Sequence, residues 1–312
     1  MRIPRAIGTA VASAVAVLAM ATAAYAMNFG GWTPPVNAES IVGTHENLNT
    51  TALEGCPFVS QRGDILYFAS TRSDGVGGFD IWYSERGENG AWGDPVNFEA
   101  INTEADELCP SAHRNGKTFL FVSNRPGYCG STANDDLYVT RLNATRGWAE
   151  PQNLGCTVNS SAAEASPYLL ETELYFSSTR PGGFAAGGTD SDVYVSAFDG
   201  DSFGPATLAP GLNTASNDNR PNLRRDGLEI FFDSNRSGSA GIDLWTATRA
   251  STSDPWEPPV NMGPAVNSTE NDLRPSLSWD GTTLYFGSFR VGSQQDIYVT
   301  TRTKQTGPAA GG

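Results

Sequence analysis

Hydrophobic residues along the chain come in short bursts rich in aromatic and β-branched side chains, separated by Gly, Asp, Asn and Ser, a pattern that predicts strands joined by tight turns. The clearest bursts are Leu66-Tyr67-Phe68, Leu120-Phe121-Val122, Leu174-Tyr175-Phe176, Ile230-Phe231-Phe232 and Leu284-Tyr285-Phe286. Each follows a polar pattern of fixed internal spacing, N-[ST]-x-x-x-[DE]-x-x-P, which runs from Asn49 to Pro57, Asn102 to Pro110, Asn159 to Pro167, Asn213 to Pro221 and Asn267 to Pro275. After each burst comes S-x-R, a variable Gly-rich loop, and a third strand opening with Asp, as in Asp80-Ile81-Trp82 and Asp296-Ile297-Tyr298. An aromatic residue followed by proline closes the unit, at Trp32, Trp92, Trp148, Phe203 and Trp256, and proline confines that piece to a sheet edge.

A period of about fifty residues holding three inner strands and one edge strand is the content of a propeller blade. The expected fold is therefore all-β, a five-bladed β-propeller of four-stranded blades. The edge piece at Trp32 precedes any first strand and the last copy stops near Arg302, so the N-terminal strand is expected to complete the last blade and close the ring. The expected boundaries are a signal peptide over 1–26, the propeller over 27–303 and a flexible tail over 304–312.

The repeat resembles the WD-repeat-like propeller repeats of the TolB family, closest to the variant found beside OmpA-like domains in envelope proteins. Three blocks carry the resemblance: Arg274-Pro275-Ser276-Leu277-Ser278-Trp279-Asp280-Gly281, Leu284-Tyr285-Phe286 with Ser288 and Arg290, and Asp296-Ile297-Tyr298-Val299. It implies a periplasmic or secreted protein-binding platform. Unlike those relatives, the sequence is expected to lack an α/β domain before the repeats and a peptidoglycan-binding domain after Arg302.

Composition narrows the partners. The 312 residues carry a formal charge of −14, or −16 without Arg2 and Arg5, which disfavours nucleic acid and anionic lipid. Arg2 and Arg5, the small apolar run to Ala23 and Ala24-Tyr25-Ala26 read as a cleavable signal, so no membrane span is expected after cleavage and the thiols meet an oxidising compartment. A monomer is expected. Cys56 and Cys109 share the slot before Pro in adjacent blades, while Cys129 and Cys156 lie in consecutive connections. The expected bridges are Cys56 to Cys109 and Cys129 to Cys156, all on one face.

Several positions are candidates for chemistry. Glu54, Glu107, Glu164, Asp218 and Asp272 recur before the innermost strand and are expected to ring one channel mouth. There they would bind a ligand or Ca²⁺, or tie down their own turns. No other cofactor and no dedicated metal site is indicated. Arg72 with Asp80, Arg125 with Asp136, Arg180 with Asp192, Arg236 with Asp243, and Arg290 with Asp296 are expected to pair across loops of five to eleven residues. The irregular loops share one face, where Phe79, Tyr128 and Phe184 are candidate contact residues. The expected function is a non-catalytic binding propeller recognising an envelope protein or glycan on that face. The alternative is a carbohydrate-active hydrolase using an Asp/Glu pair at the channel mouth.

Overall fold

The computed structural model of the protein describes residues 28–126, 129, 134–184, 190–292 and 294–305; the expected signal segment and Tyr128 lie outside them. The fold is a five-bladed β-propeller of antiparallel sheets. In blade 1 the strands are Glu54–Val59, Ile65–Ser70, Asp80–Glu85 and Val96–Asn97, innermost first. The other innermost strands are Glu107–Ala112, Glu164–Leu170, Asp218–Leu223 and Asp272–Leu277. Edge strands are only two residues long and start after the prolines, so the aromatic-proline pieces precede them rather than form them. Those aromatics pack inward: Trp92 is almost fully buried and meets Tyr285 of blade 5 with ring centroids 6.1 Å apart.

Each letter of the repeated polar pattern has a structural task. The Asn side chain pairs with the backbone of the preceding blade's third strand: Asn102 Oδ1 accepts from Ile81 N–H at 2.9 Å and its amide donates to the Ile81 carbonyl at 2.8 Å. Asn159 does the same with Leu137, Asn213 with Val193, Asn267 with Leu244 and Asn49 with Ile297. This amide extends a short edge by one backbone-like rung and joins neighbouring blades. Proline sits where the inner strand bulges, since each inner strand slips register around it. Its missing N–H is tolerated at such a break in the ladder.

Closure follows the expected route. Val36–Asn37 pairs with Asp296–Thr301, completing blade 5. A second clasp lies beyond it, because Asn28–Phe29 pairs with Lys304–Gln305, two residues expected to belong to the flexible tail. Arg302 is held in this seam by Glu229 of blade 4, at 2.7 Å through both terminal nitrogens, and by the Phe29 and Trp32 rings, 3.8 and 4.5 Å from its central carbon.

Both expected disulfides are present, with Cα separations of 4.7 Å for Cys56–Cys109 and 5.3 Å for Cys129–Cys156. They do not share one face: Cys56 and Cys109 line the central channel. The channel bridge closes a separation of 53 residues. Replacing Cys56 and Cys109 by Ser is expected to lower unfolding free energy by about 4 kcal/mol, through the wider unfolded ensemble. Denaturant melts of this variant and the unmodified protein measure it, and equal midpoints would contradict it.

Candidate functional site

The five repeated acids do not ring a channel mouth. Each opens an innermost strand, is fully buried, and faces into its own blade. Glu107 shows the arrangement: it accepts from Thr103 N–H at 2.7 Å, Thr103 hydroxyl at 2.8 Å, Ser123 hydroxyl at 2.8 Å and Arg125 guanidinium at 2.9 Å. Arg72 pairs likewise with Glu54 at 3.2 Å, Arg180 with Glu164 at 3.0 Å, Arg290 with Asp272 at 2.6 Å, and Arg236 with Asp218. Each arginine also lies between two rings, as Arg125 does 5.4 Å from Phe121 and 5.0 Å from Tyr138. The lone pairs that a Ca²⁺ would need are therefore directed at the blade's own donors. Among the described residues, no three His, Cys, Asp or Glu side chains gather as a metal-binding group.

The ion pairs expected across the loops are replaced by these. Strand register explains the change: the acid lies opposite the Ser of S-x-R, as Glu54 lies opposite Ser70, so the Arg two residues on folds back over that same acid. The Asp opening each third strand holds backbone and edge instead. Asp80 accepts from Val76 N–H, Asp192 from Phe184 N–H at 2.8 Å and Asp243 from Ala240 N–H. Asp136 accepts from the Asn153 amide at 2.7 Å, and Asp296 from that of Asn37 at 3.2 Å.

Two asymmetric regions remain. The first is the channel, which the residue before each proline lines: Cys56, Cys109, Ser166, Arg220 and Arg274. All five have left-handed backbone, with φ between 47° at Cys109 and 62° at Arg274. Side chains other than Gly rarely adopt this, and a following proline disfavours helical backbone further, so the side chains matter at these positions. Sequence reasoning singled out the two cysteines but not the serine and arginines of the same slot. The available signal was variation at one fixed position in an otherwise constant frame.

Neither a family model nor a curated sequence matches this chain. Among solved structures it superposes on a thermostable family-43 glycoside hydrolase with a TM-score of 0.57 at 14% identity, covering 86% of this chain and 100% of that one. An alpha-L-arabinofuranosidase from Lactobacillus brevis gives 0.55 at 13% identity, covering 85% and 94%. TolB from Acinetobacter baumannii gives 0.46 at 15% identity, covering 80% of this chain and 54% of that one, so the chain spans about half the length of that TolB. The likeness is one of propeller fold.

Two-carboxylate glycoside hydrolysis needs a pair of Asp or Glu residues flanking the scissile bond. The described channel lining contains neither residue type. Asp233, which stands behind the lining, is buried and held by the Arg220 guanidinium at 2.8 Å and by Arg274 N–H at 2.8 Å. Burial pushes its carboxyl up, against the pull of those two partners.

The second region is the face formed by the second-to-third and fourth-to-first connections. Phe184 is 59% exposed there, whereas Phe79 packs partly buried against the core. The Cys129–Cys156 bridge ties two of its connections together. Its only Lys or Arg residues are the five clamp arginines, which are turned into the blades. Asp74, Glu99, Glu104 and Glu270 stand exposed on it. Apart from Arg220 and Arg274 in the channel, every other Lys and Arg after residue 26 lies at the opposite end, among them Arg62, Arg86, Arg114, Lys117 and Arg249.

Proposed function

We propose that this chain is a non-catalytic binding propeller of the TolB-like repeat type, acting outside the cytoplasm, and that its loop-bearing face recognises a basic segment of an envelope protein. One observation carries the reading: internal clamps engage every arginine of that face, so the charged groups that meet the solvent there are carboxylates. Such a one-sided field steers and selects a cationic partner. Phe184 supplies an aromatic anchor of the kind that concentrates binding energy. The two disulfides agree with an oxidising compartment. No helix among the described residues is long and apolar enough to cross a membrane.

The test uses the purified protein against immobilised basic and acidic peptides, a glycan array, and arabinan and xylan oligosaccharides. Binding to basic peptides is expected, weakening steeply with salt and falling at least about tenfold when Asp74, Glu104 and Glu270 are together changed to Lys. Release of sugars would overturn the reading in favour of a hydrolase. Salt-insensitive binding to a neutral glycan would replace the basic partner with a carbohydrate.

A further inference from the structure

The central channel is walled differently on its two sides. Blades 1 and 2 contribute the Cys56–Cys109 bridge, blade 3 contributes Ser166, and blades 4 and 5 contribute Arg220 and Arg274. Between them lies a cavity of about 30 Å³, room for one water-sized or chloride-sized sphere.

The polar groups around it are not balanced. Arg220 donates to Asp233, and Arg274 donates at 2.6 Å to the neutral side-chain carbonyl of Gln295. The second Asp233 oxygen is taken by the Arg274 backbone N–H. Nε of Arg274 and Oγ of Ser166 are buried without a hydrogen-bond partner. Two guanidiniums thus face one carboxylate, so the wall is net positive whichever protonation state Asp233 adopts. Burial and the neighbouring Arg220 pull the Arg274 guanidinium down to about 9, which leaves it charged at neutral pH. A buried cation with an unused donor is costly unless an anion meets it. Both arginines are also held at left-handed φ, 57° and 62°, where glycine would sit without strain.

We propose that the channel binds a single chloride-sized monoanion between Arg220 and Arg274, with the Ser166 hydroxyl as a further donor. The anion would balance the excess guanidinium and lock blades 3, 4 and 5 together at the axis, opposite the covalent lock between blades 1 and 2. A cavity of this size suits a small monoanion.

Bromide is the probe. Crystals of the protein soaked in sodium bromide are expected to show an anomalous peak between the two guanidiniums, absent in Arg274→Gly. Glycine keeps the left-handed backbone there, so the variant is expected to fold. In solution, sodium chloride is expected to raise the melting temperature above that in equal sodium gluconate, an anion too large to enter, and Arg274→Gly should abolish the difference. Diffraction decides where the melting difference is small: no bromide peak at this position overturns the proposal. A chloride response unchanged in Arg274→Gly overturns it as well, because the stabilising site would then lie elsewhere.

Discussion

Glu164→Gln is expected to lower the unfolding free energy by about 3 to 5 kcal/mol, although it removes only a charge. Glu164 Oε1 accepts from the Ser160 hydroxyl, the Ser178 hydroxyl and Arg180, while Oε2 accepts from Ser160 N–H. An amide has one oxygen, so its NH₂ must face a donor in either orientation, and Arg180 loses its counter-charge between the Phe176 and Tyr194 rings. Thermal melting should fall by on the order of 10 °C. Replacing both Glu164 and Arg180 by Leu should cost less than Glu164→Gln alone, since no unpaired charge remains. A single substitution costing under about 1 kcal/mol would show that the clamp is a weak surface-type pair.

Deleting residues 28–37 should have the larger effect, loss of cooperative melting or aggregation on expression. The deletion removes Val36–Asn37 from the edge of blade 5 and exposes the Asp296–Thr301 strand, whose Ile297 and Val299 are core residues. It also strips Phe29 and Trp32 from Arg302, leaving the Arg302–Glu229 pair open to water. Light scattering and a melting curve on the truncated protein measure this. A melt within a few degrees of the full chain would mean that the ring holds without its N-terminal strand.

The repeat made the blade count and the closure legible, because the spacing from Asn to Pro never varies and the edge piece at Trp32 had no other blade to complete. Partner choice within a blade was less legible. Arg72 stands closer in sequence to Asp80 than to Glu54, yet hairpin register brings Glu54 opposite Ser70 and puts Arg72 on the acid. The five acids were legible as one repeated position, but not that their counter-charge is the equally uniform arginine. The channel set was hidden for a different reason. Whether the residue before proline lines the channel depends on a bulge and a left-handed φ that proline disfavours, so its place does not follow from strand alternation. The charge polarity of the faces, by contrast, needs only the strand order once the clamp arginines are known to point inward.

The clasp between Asn28–Phe29 and Lys304–Gln305 has a consequence for how the protein can be joined to anything else. The two ends of the described chain meet side by side, next to the Gly281 turn, at the end of the ring opposite the irregular loops. A tether, fusion partner or surface attached at either end would hold the molecule from behind, with the acidic face turned outward. The same adjacency makes the chain suited to circular permutation: a short linker from Gln305 to Asn28 would remove the seam, and new ends could be opened at an exposed turn such as Gly63 without moving a single blade.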